Sequence, residues 1–195
     1  MNPTAKHYDL LIDDGQDPVF DPEPLKEYMN KWDGDVFIEE MCLDKTKSVL
    51  EIGVGTGRIA VKVVPLCKKF TGIDISEKTI NKAKENLGNV NLICCDFLKY
   101  EFSEKFDVIY SSLTFLHIAE KQKAFDIASS VLNDNGRFVL SIDKNQDDLL
   151  DAGISKIRVF PDNPTDIKNY AKKSFLKLLK EYETEFAYIF VFSVL

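Results

Sequence analysis

An α/β fold, with a mostly parallel sheet covered by helices on both faces, is what this sequence predicts. Three observations carry the prediction. From Ser48 onward, apolar runs of strand length alternate with segments of helical period, and such alternation builds a parallel sheet joined by crossover helices. The first run, Val49–Ile52, breaks into Gly53-Val-Gly-Thr-Gly57 and then into Ile59, Ala60, Val61, Val63 and Val64. Strand, glycine turn and helix in that order allow close backbone approach. The chain has 195 residues, 45% of them hydrophobic, enough for one domain with a full core and too apolar for general disorder.

Taken in order, the stretch before Ser48 is the least regular. Tyr8–Ile12 is a short apolar run, and Asp13–Glu23 is rich in Asp, Pro and Gly and reads as an exposed loop. Pro24–Met29 starts a short helix, and Val36–Leu43 forms a second helical stretch after Trp32-Asp33-Gly34. This segment reads either as a lid over the main fold or as a plain cover for one sheet edge. Next come a strand over Val49–Ile52, a helix from Arg58 that Pro65 ends or kinks, and a strand over Phe70–Ile75 carrying Asp74. Ser76 caps a helix over Glu77–Leu87 that Gly88 stops. Strands over Val90–Cys95 and Phe106–Ser111, a helix over Lys121–Leu132, a turn at Asn135-Gly136 and a strand over Arg137–Ile142 follow. In the tail, Thr165 caps a helix beginning near Asp166. Its period persists to Tyr182, yet Leu176–Tyr182 with Phe186–Val194 also reads as a two-strand hairpin, and periodicity alone leaves both open.

Composition narrows the function classes. With 25 Lys and Arg against 32 Asp and Glu, the net charge is −7, which does not favour a nucleic-acid phosphate backbone as partner. Cys42, Cys67, Cys94 and Cys95 form no C-x-x-C pair, and His7 and His117 are the two histidines, so no metal site is expected. Adjacent Cys94 and Cys95 point to opposite faces of a strand and read as small core residues. Free thiols fit a reducing cytoplasm. Without an N-terminal apolar signal or a long apolar run, neither secretion nor membrane spanning is expected.

Spacing discriminates among ligands for the glycine turn. A dinucleotide site wants a third glycine three positions after the second, where this chain has Arg58 and places its extra glycine at Gly57. Lysine is absent from the P-loop position, which disfavours a nucleoside-triphosphate hydrolase. Glu51 lies two residues before Gly53, and Asp74 ends the next strand 21 positions after Gly53. A carboxylate placed there can accept from both ribose hydroxyls.

Val49-Leu-Glu-Ile-Gly-Val-Gly-Thr-Gly-Arg58 resembles the first motif of class I S-adenosylmethionine-dependent methyltransferases. Gly72-Ile-Asp-Ile-Ser76, Cys95-Asp96-Phe97 and Phe106–Ser112 resemble the second, third and fourth motifs, and Leu132–Val139 the turn into the fifth strand. The match spans roughly Lys47 to Asp143 in the right order. It implies a Rossmann-like, doubly wound, mostly parallel seven-stranded sheet with a C-terminal antiparallel hairpin and an N-terminal helical segment. A single domain is expected: a lid or cap over 1–47, a cofactor-binding core over 48–143, and sheet completion over 144–195. The cofactor implied is S-adenosyl-L-methionine, with S-adenosyl-L-homocysteine as product.

By the same resemblance, Gly53, Val54 and Gly55 approach the methionine part, helped by N–H groups of a helix beginning near Gly57, and Glu51 supports its ammonium. Asp74 takes the ribose hydroxyls, Asp96 accepts from the adenine amine, and Ile75 and Phe97 sandwich the ring. Ser111 lies near the methionine part and the methyl. Plainer readings stand beside these: Asp96 as a helix cap, Ile75 and Phe97 as core, Ser111 as a strand-end polar residue.

Methyl transfer from a sulfonium needs alignment first, and a base only where the acceptor must lose a proton. His117, six positions after Ser111, lies at the right edge of the sheet for a base; the plainer and favoured reading is that it orders its loop or packs against the following helix. Tyr8 and Trp32 either close over the site or simply pack. The run Tyr110-Ser-Ser-Leu113 differs from the Asp/Asn-Pro-Pro-aromatic run of amino methylation, and no Pro-Cys dipeptide is present. A small-molecule acceptor is expected, with no nucleic-acid or membrane partner; a non-catalytic cofactor-binding protein is the alternative.

Overall fold

In sequence order the chain builds helices α1 (Pro3–Asp13), α2 (Glu23–Met29) and α3 (Gly34–Glu39), then strand β1 (Ser48–Ile52). Helix α4 (Ala60–Val63), β2 (Lys69–Asp74), α5 (Glu77–Leu87), β3 (Asn91–Cys94), β4 (Phe106–Ser112), α6 (Lys121–Ser130) and β5 (Leu132–Asp143) follow. The tail adds β6 (Leu149–Asp151), β7 (Lys156–Arg158), α7 (Pro164–Lys173), β8 (Leu176–Glu183) and β9 (Ala187–Val194). This computed structural model describes residues 2–194.

The main sheet has seven strands in the order β3-β2-β1-β4-β5-β9-β8. Strands β1 to β5 pair in parallel, whereas β9 pairs antiparallel with both β5 and β8. This is the expected seven-stranded, mostly parallel architecture with its antiparallel hairpin. Strand order reverses between β1 and β4, and in open α/β sheets ligands bind at the carboxyl edge of such a switch point. Alternation along β1 and β4 sends Leu50, Ile52 and Ile109 into one apolar layer, with α6 and α7, and the register shift between Phe106 and Val108 adds Phe106 to it. Val49, Val108 and Tyr110 enter the other, with Phe37, Ile59 and Ile80.

Several boundaries differ from the sequence reading, each for a local reason. The run Tyr8–Ile12 lies inside α1, whose start is set by the Asn2 side chain accepting from Thr4 N at 2.8 Å. Helix α4 is shorter than expected, and the chain passes Pro65 in a 3₁₀ turn over Val64–Leu66. Leu132 belongs to β5, opposite Phe106, and the register shift before the next pair, Val108 with Arg137, takes in the Asn135-Gly136 turn, where Asn135 has φ +61°. Asn163, rather than Thr165, caps α7, with Pro164 in its first turn. Phe175 at φ +59° ends that helix, so Leu176–Glu183 is free to pair with β9 as β8. Cys94 is exposed because β3 is an edge strand, so it is not a core residue. The small β6–β7 hairpin had no alternating pattern to announce it. Among the described residues no helix is long and apolar enough to cross a membrane.

Candidate functional site

The switch point opens into a cavity of about 460 Å³, lined by the ends of β1, β2 and β4 and roofed by the N-terminal segment. At the end of β1 the chain turns through Gly53 at φ +77° and Gly55 at φ +58°. A Cβ on Gly53 would fall 2.0 Å from Thr114 Oγ1, so glycine is needed here to let the loop after β4 come close. Above Gly55 there is open space. The Gly53 and Val54 N–H groups donate to the Ile73 carbonyl at 2.8 and 3.1 Å. Helix α4 starts only at Ala60, and the Gly57 N–H is already taken by the Val54 carbonyl at 3.0 Å. The expected free helix start near Gly57 is therefore not formed.

Three of the four carboxylates that line the cavity sit in different settings. Asp74 ends β2 and accepts from Gly55 N and Ser76 N, both at 3.0 Å, which braces the glycine turn. Burial pushes its carboxyl up, and these backbone hydrogen bonds oppose the push. Glu51 is buried and accepts from the Tyr110 hydroxyl at 2.7 Å. Burial holds its carboxyl well above the usual range, against the opposing effects of Tyr110 and Arg58. Asp96 lines the same wall and accepts from Leu98 N at 3.0 Å, capping a short 3₁₀ turn.

Of the residues singled out in sequence, Glu51, Gly53, Val54, Gly55, Asp74, Ile75, Asp96 and Phe97 meet around this cavity. Ser111 and Trp32 do not. Ser111 is fully buried and donates to the Ile52 carbonyl at 2.8 Å, tying β4 to β1. Strand alternation brings the next residue, Ser112, to the cavity instead. Trp32 packs against Phe186 and Tyr28, with ring centroids 4.7 and 5.5 Å away. The chain after α2 turns toward the β8–β9 hairpin and carries the indole with it.

Other cavity residues were missed. Arg58 lines the wall and is held by Asp33 through hydrogen bonds at 3.2 and 2.5 Å, while Ser112 Oγ donates to Asp33 at 2.9 Å. No local pattern marks Asp33, because its partners lie in β4 and the glycine loop. Thr56 is buried on the cavity wall with no partner for its hydroxyl; its place inside the glycine motif was the available signal.

Tyr8 and His117 come together. Helix α1 is anchored by Asp9, which accepts from Ser76 Oγ at 2.7 Å and Lys78 N at 3.2 Å. Docked there, it extends Tyr8 over the cavity to share a 2.7 Å hydrogen bond with His117 Nε2. Burial, helped by His7 and Lys121, pushes the His117 imidazole down to about 4. Burial and the Asp74 charge push the Tyr8 phenol up. Both groups are therefore neutral around pH 7.

The methyltransferase-domain family matches residues 43–184, most of the chain and all of the strand ends just described. This chain belongs to the class I S-adenosylmethionine-dependent methyltransferase family. An uncharacterised methyltransferase of Anoxybacillus flavithermus is 34% identical to this chain over 120 residues, covering 60% of this chain and 57% of the relative. The chain spans about half the length of the curated relatives it matches. In fold, it superposes on a S-adenosylmethionine-dependent methyltransferase from Clostridium acetobutylicum with TM-score 0.72 at 18% identity, covering 98% of this chain and 97% of the other. Magnesium protoporphyrin IX methyltransferase from Synechocystis, solved with its bound cofactor, gives TM-score 0.75 at 14% identity, covering 100% and 98%.

Proposed function

We propose that this protein transfers a methyl group from S-adenosylmethionine to a small-molecule acceptor. The observation that carries the reading is the convergence of Glu51, Asp74 and Asp96 on one cavity, with Asp74 bonded to the glycine turn at Gly55. The residues present fit the cofactor. Gly55 leaves open space above the turn, and the buried Thr56 hydroxyl on the cavity wall lacks a partner, a state that costs free energy unless a ligand supplies one.

When bound, the cofactor supplies an activated methyl on sulfur. Asp74 holds the ribose hydroxyls, Asp96 accepts from the adenine amine, and Ile75 and Phe97 flank the ring. Glu51, Arg58 and the turn Gly53–Gly55 surround the methionine part, with Asp33 keeping Arg58 in place. Residues 1–47 cap the site, 48–143 form the cofactor-binding core, and 144–195 complete the sheet. A cavity of about 460 Å³ suits a small acceptor beside part of the cofactor, and the net charge of −7 opposes a polyanion. The magnesium protoporphyrin IX methyltransferase of like fold acts on a porphyrin, as its name states.

Calorimetric titration with S-adenosylmethionine, S-adenosylhomocysteine and NAD tests the reading: the first two bind and NAD does not. Asp74→Ala is expected to weaken cofactor binding by about 1.5–3 kcal/mol, because a charge-assisted hydrogen bond is lost. Unchanged affinity in that variant sinks the ribose assignment. Cofactor binding without turnover on any acceptor would favour the non-catalytic alternative.

A further inference from the structure

The cavity contains a hydrogen-bonded tyrosine–histidine pair that the cofactor roles proposed above do not use. Tyr8 Oη and His117 Nε2 lie 2.7 Å apart, and both residues line the cavity. The pair is not a satisfied structural network, since His117 Nδ1 and both ring nitrogens of the buried His7 have no partner. Nor does the cavity suit an anionic acceptor. Of the described residues lining it, Arg58 is the one Lys or Arg, and Asp33 already neutralises it. Asp74, Asp96 and Glu120 line the same space. Such a field repels a carboxylate or phosphate acceptor.

An uncharged amine already offers a lone pair, whereas a hydroxyl becomes a good nucleophile only as its proton leaves. A dedicated proton acceptor in a cation-poor cavity therefore points to oxygen. We propose that Tyr8 and His117 together take the proton from an uncharged, hydroxyl-bearing acceptor, so that the protein is an O-methyltransferase. The inference rests on the methyl-transfer reading above.

The step balances. The acceptor oxygen bonds to the methyl carbon, and the carbon–sulfur bond breaks with its electron pair left on sulfur. The acceptor's hydroxyl proton passes to Tyr8 Oη as the Tyr8 proton passes to His117 Nε2. One positive charge disappears from sulfur as one appears on the imidazole, so no extra charge is buried during the step. The groups around His117 are His7 and Tyr8 from α1, Lys121 from α6 and, through Tyr8, Asp74 at the end of β2. Lys121 donates to the Phe115 and Phe160 carbonyls at 2.9 and 2.8 Å and is ion-paired with Asp162 at 2.7 Å. It is thus not available to bind an acceptor.

Two measurements test this. In the cofactor-free protein, nitrogen-detected NMR of the two histidines is expected to show His117 neutral, with the proton on Nδ1 and Nε2 bare, between about pH 5.5 and 8. A proton on Nε2 overturns the proposal, because Tyr8 would then donate into the cavity instead of accepting. Second, the cofactor-loaded enzyme is offered substituted phenols, benzylamine, benzoate and phenyl phosphate. Methyl ethers of the phenols are expected as the main products. His117→Gln should lower kcat by about 100-fold or more and Tyr8→Phe by about 10-fold, with cofactor affinity unchanged by calorimetry. In His117→Gln the rate should recover as pH rises through each phenol's own pKa, a response that a merely structural role does not produce. Faster methylation of benzoate, phenyl phosphate or benzylamine overturns the proposal, as does cofactor binding without any phenol turnover. Failure to bind the cofactor at all would instead sink the methyl-transfer reading, and the inference with it.

Discussion

A buried carboxyl beside a buried phenol sets the behaviour of one wall of the cavity. Glu51 is held well above its usual range of 4.5, chiefly by burial, and Tyr110, which donates to it, is pushed up as well. The native state thus keeps a proton that the unfolded chain loses. Stability from this proton is fully present below about pH 4.5 and is lost as pH rises through the native value. Glu51→Gln keeps an acceptor for Tyr110 and removes the ionisation. Relative to wild type, that variant is expected to gain stability as pH rises above about 4.5, until the native Glu51 has itself ionised. Denaturant melts of the two proteins across that range check it; a difference flat in pH would refute the assignment. Glu51 was legible as a cavity residue from its place two before Gly53. Its protonation was not, because it depends on Tyr110, which is 59 positions away in sequence.

Between elements, the joint that matters most is α1 on α5. Asp9 accepts from Ser76 Oγ and Lys78 N, and Asp13 pairs with Lys78 at 2.5 Å on the exposed side. An exposed ion pair contributes about 0–1 kcal/mol, so the Asp9 bonds to the start of α5 are the stronger tether. Asp9→Ala is expected to loosen α1 by about 1–2 kcal/mol, seen as roughly 5–30-fold faster amide exchange over α1 with β1–β5 unchanged. Equal protection in the variant would show that apolar packing alone holds the helix. Sequence placed the helices and strands between Ser48 and Ile142 closely, because each shows its own period. It missed α1, whose Asn2 cap and Pro3 start are ordinary until seen in place. It also left Leu176–Tyr182 undecided, since pairing with β9 rather than local preference makes that stretch a strand.

For the molecule as a whole, the C-terminal hairpin is part of the core. Ile189, Phe190, Val191 and Phe192 of β9 are fully buried, each contributing about 1.5–3 kcal/mol. Their sum, about 6–12 kcal/mol, is as large as the usual net stability of a domain, about 5–15 kcal/mol. A chain ended before Phe186 is therefore expected to show no cooperative unfolding transition, by circular dichroism against temperature. A sharp transition in it would mean that β1–β5 fold without β9. By itself, the sequence determined the α/β class, the succession of the central strands along the chain and most of the residues singled out that line the cavity. These follow from local signals: period, glycine spacing, and acids at successive strand ends. Tertiary structure decided which side chains meet across the chain. It drew Ser111 and Trp32 away from the cavity, joined Asp33 to Arg58, and set Tyr8 against His117. The last two contacts join residues 25 and 109 positions apart, where no local pattern reaches and only the docking of the N-terminal segment on the sheet decides.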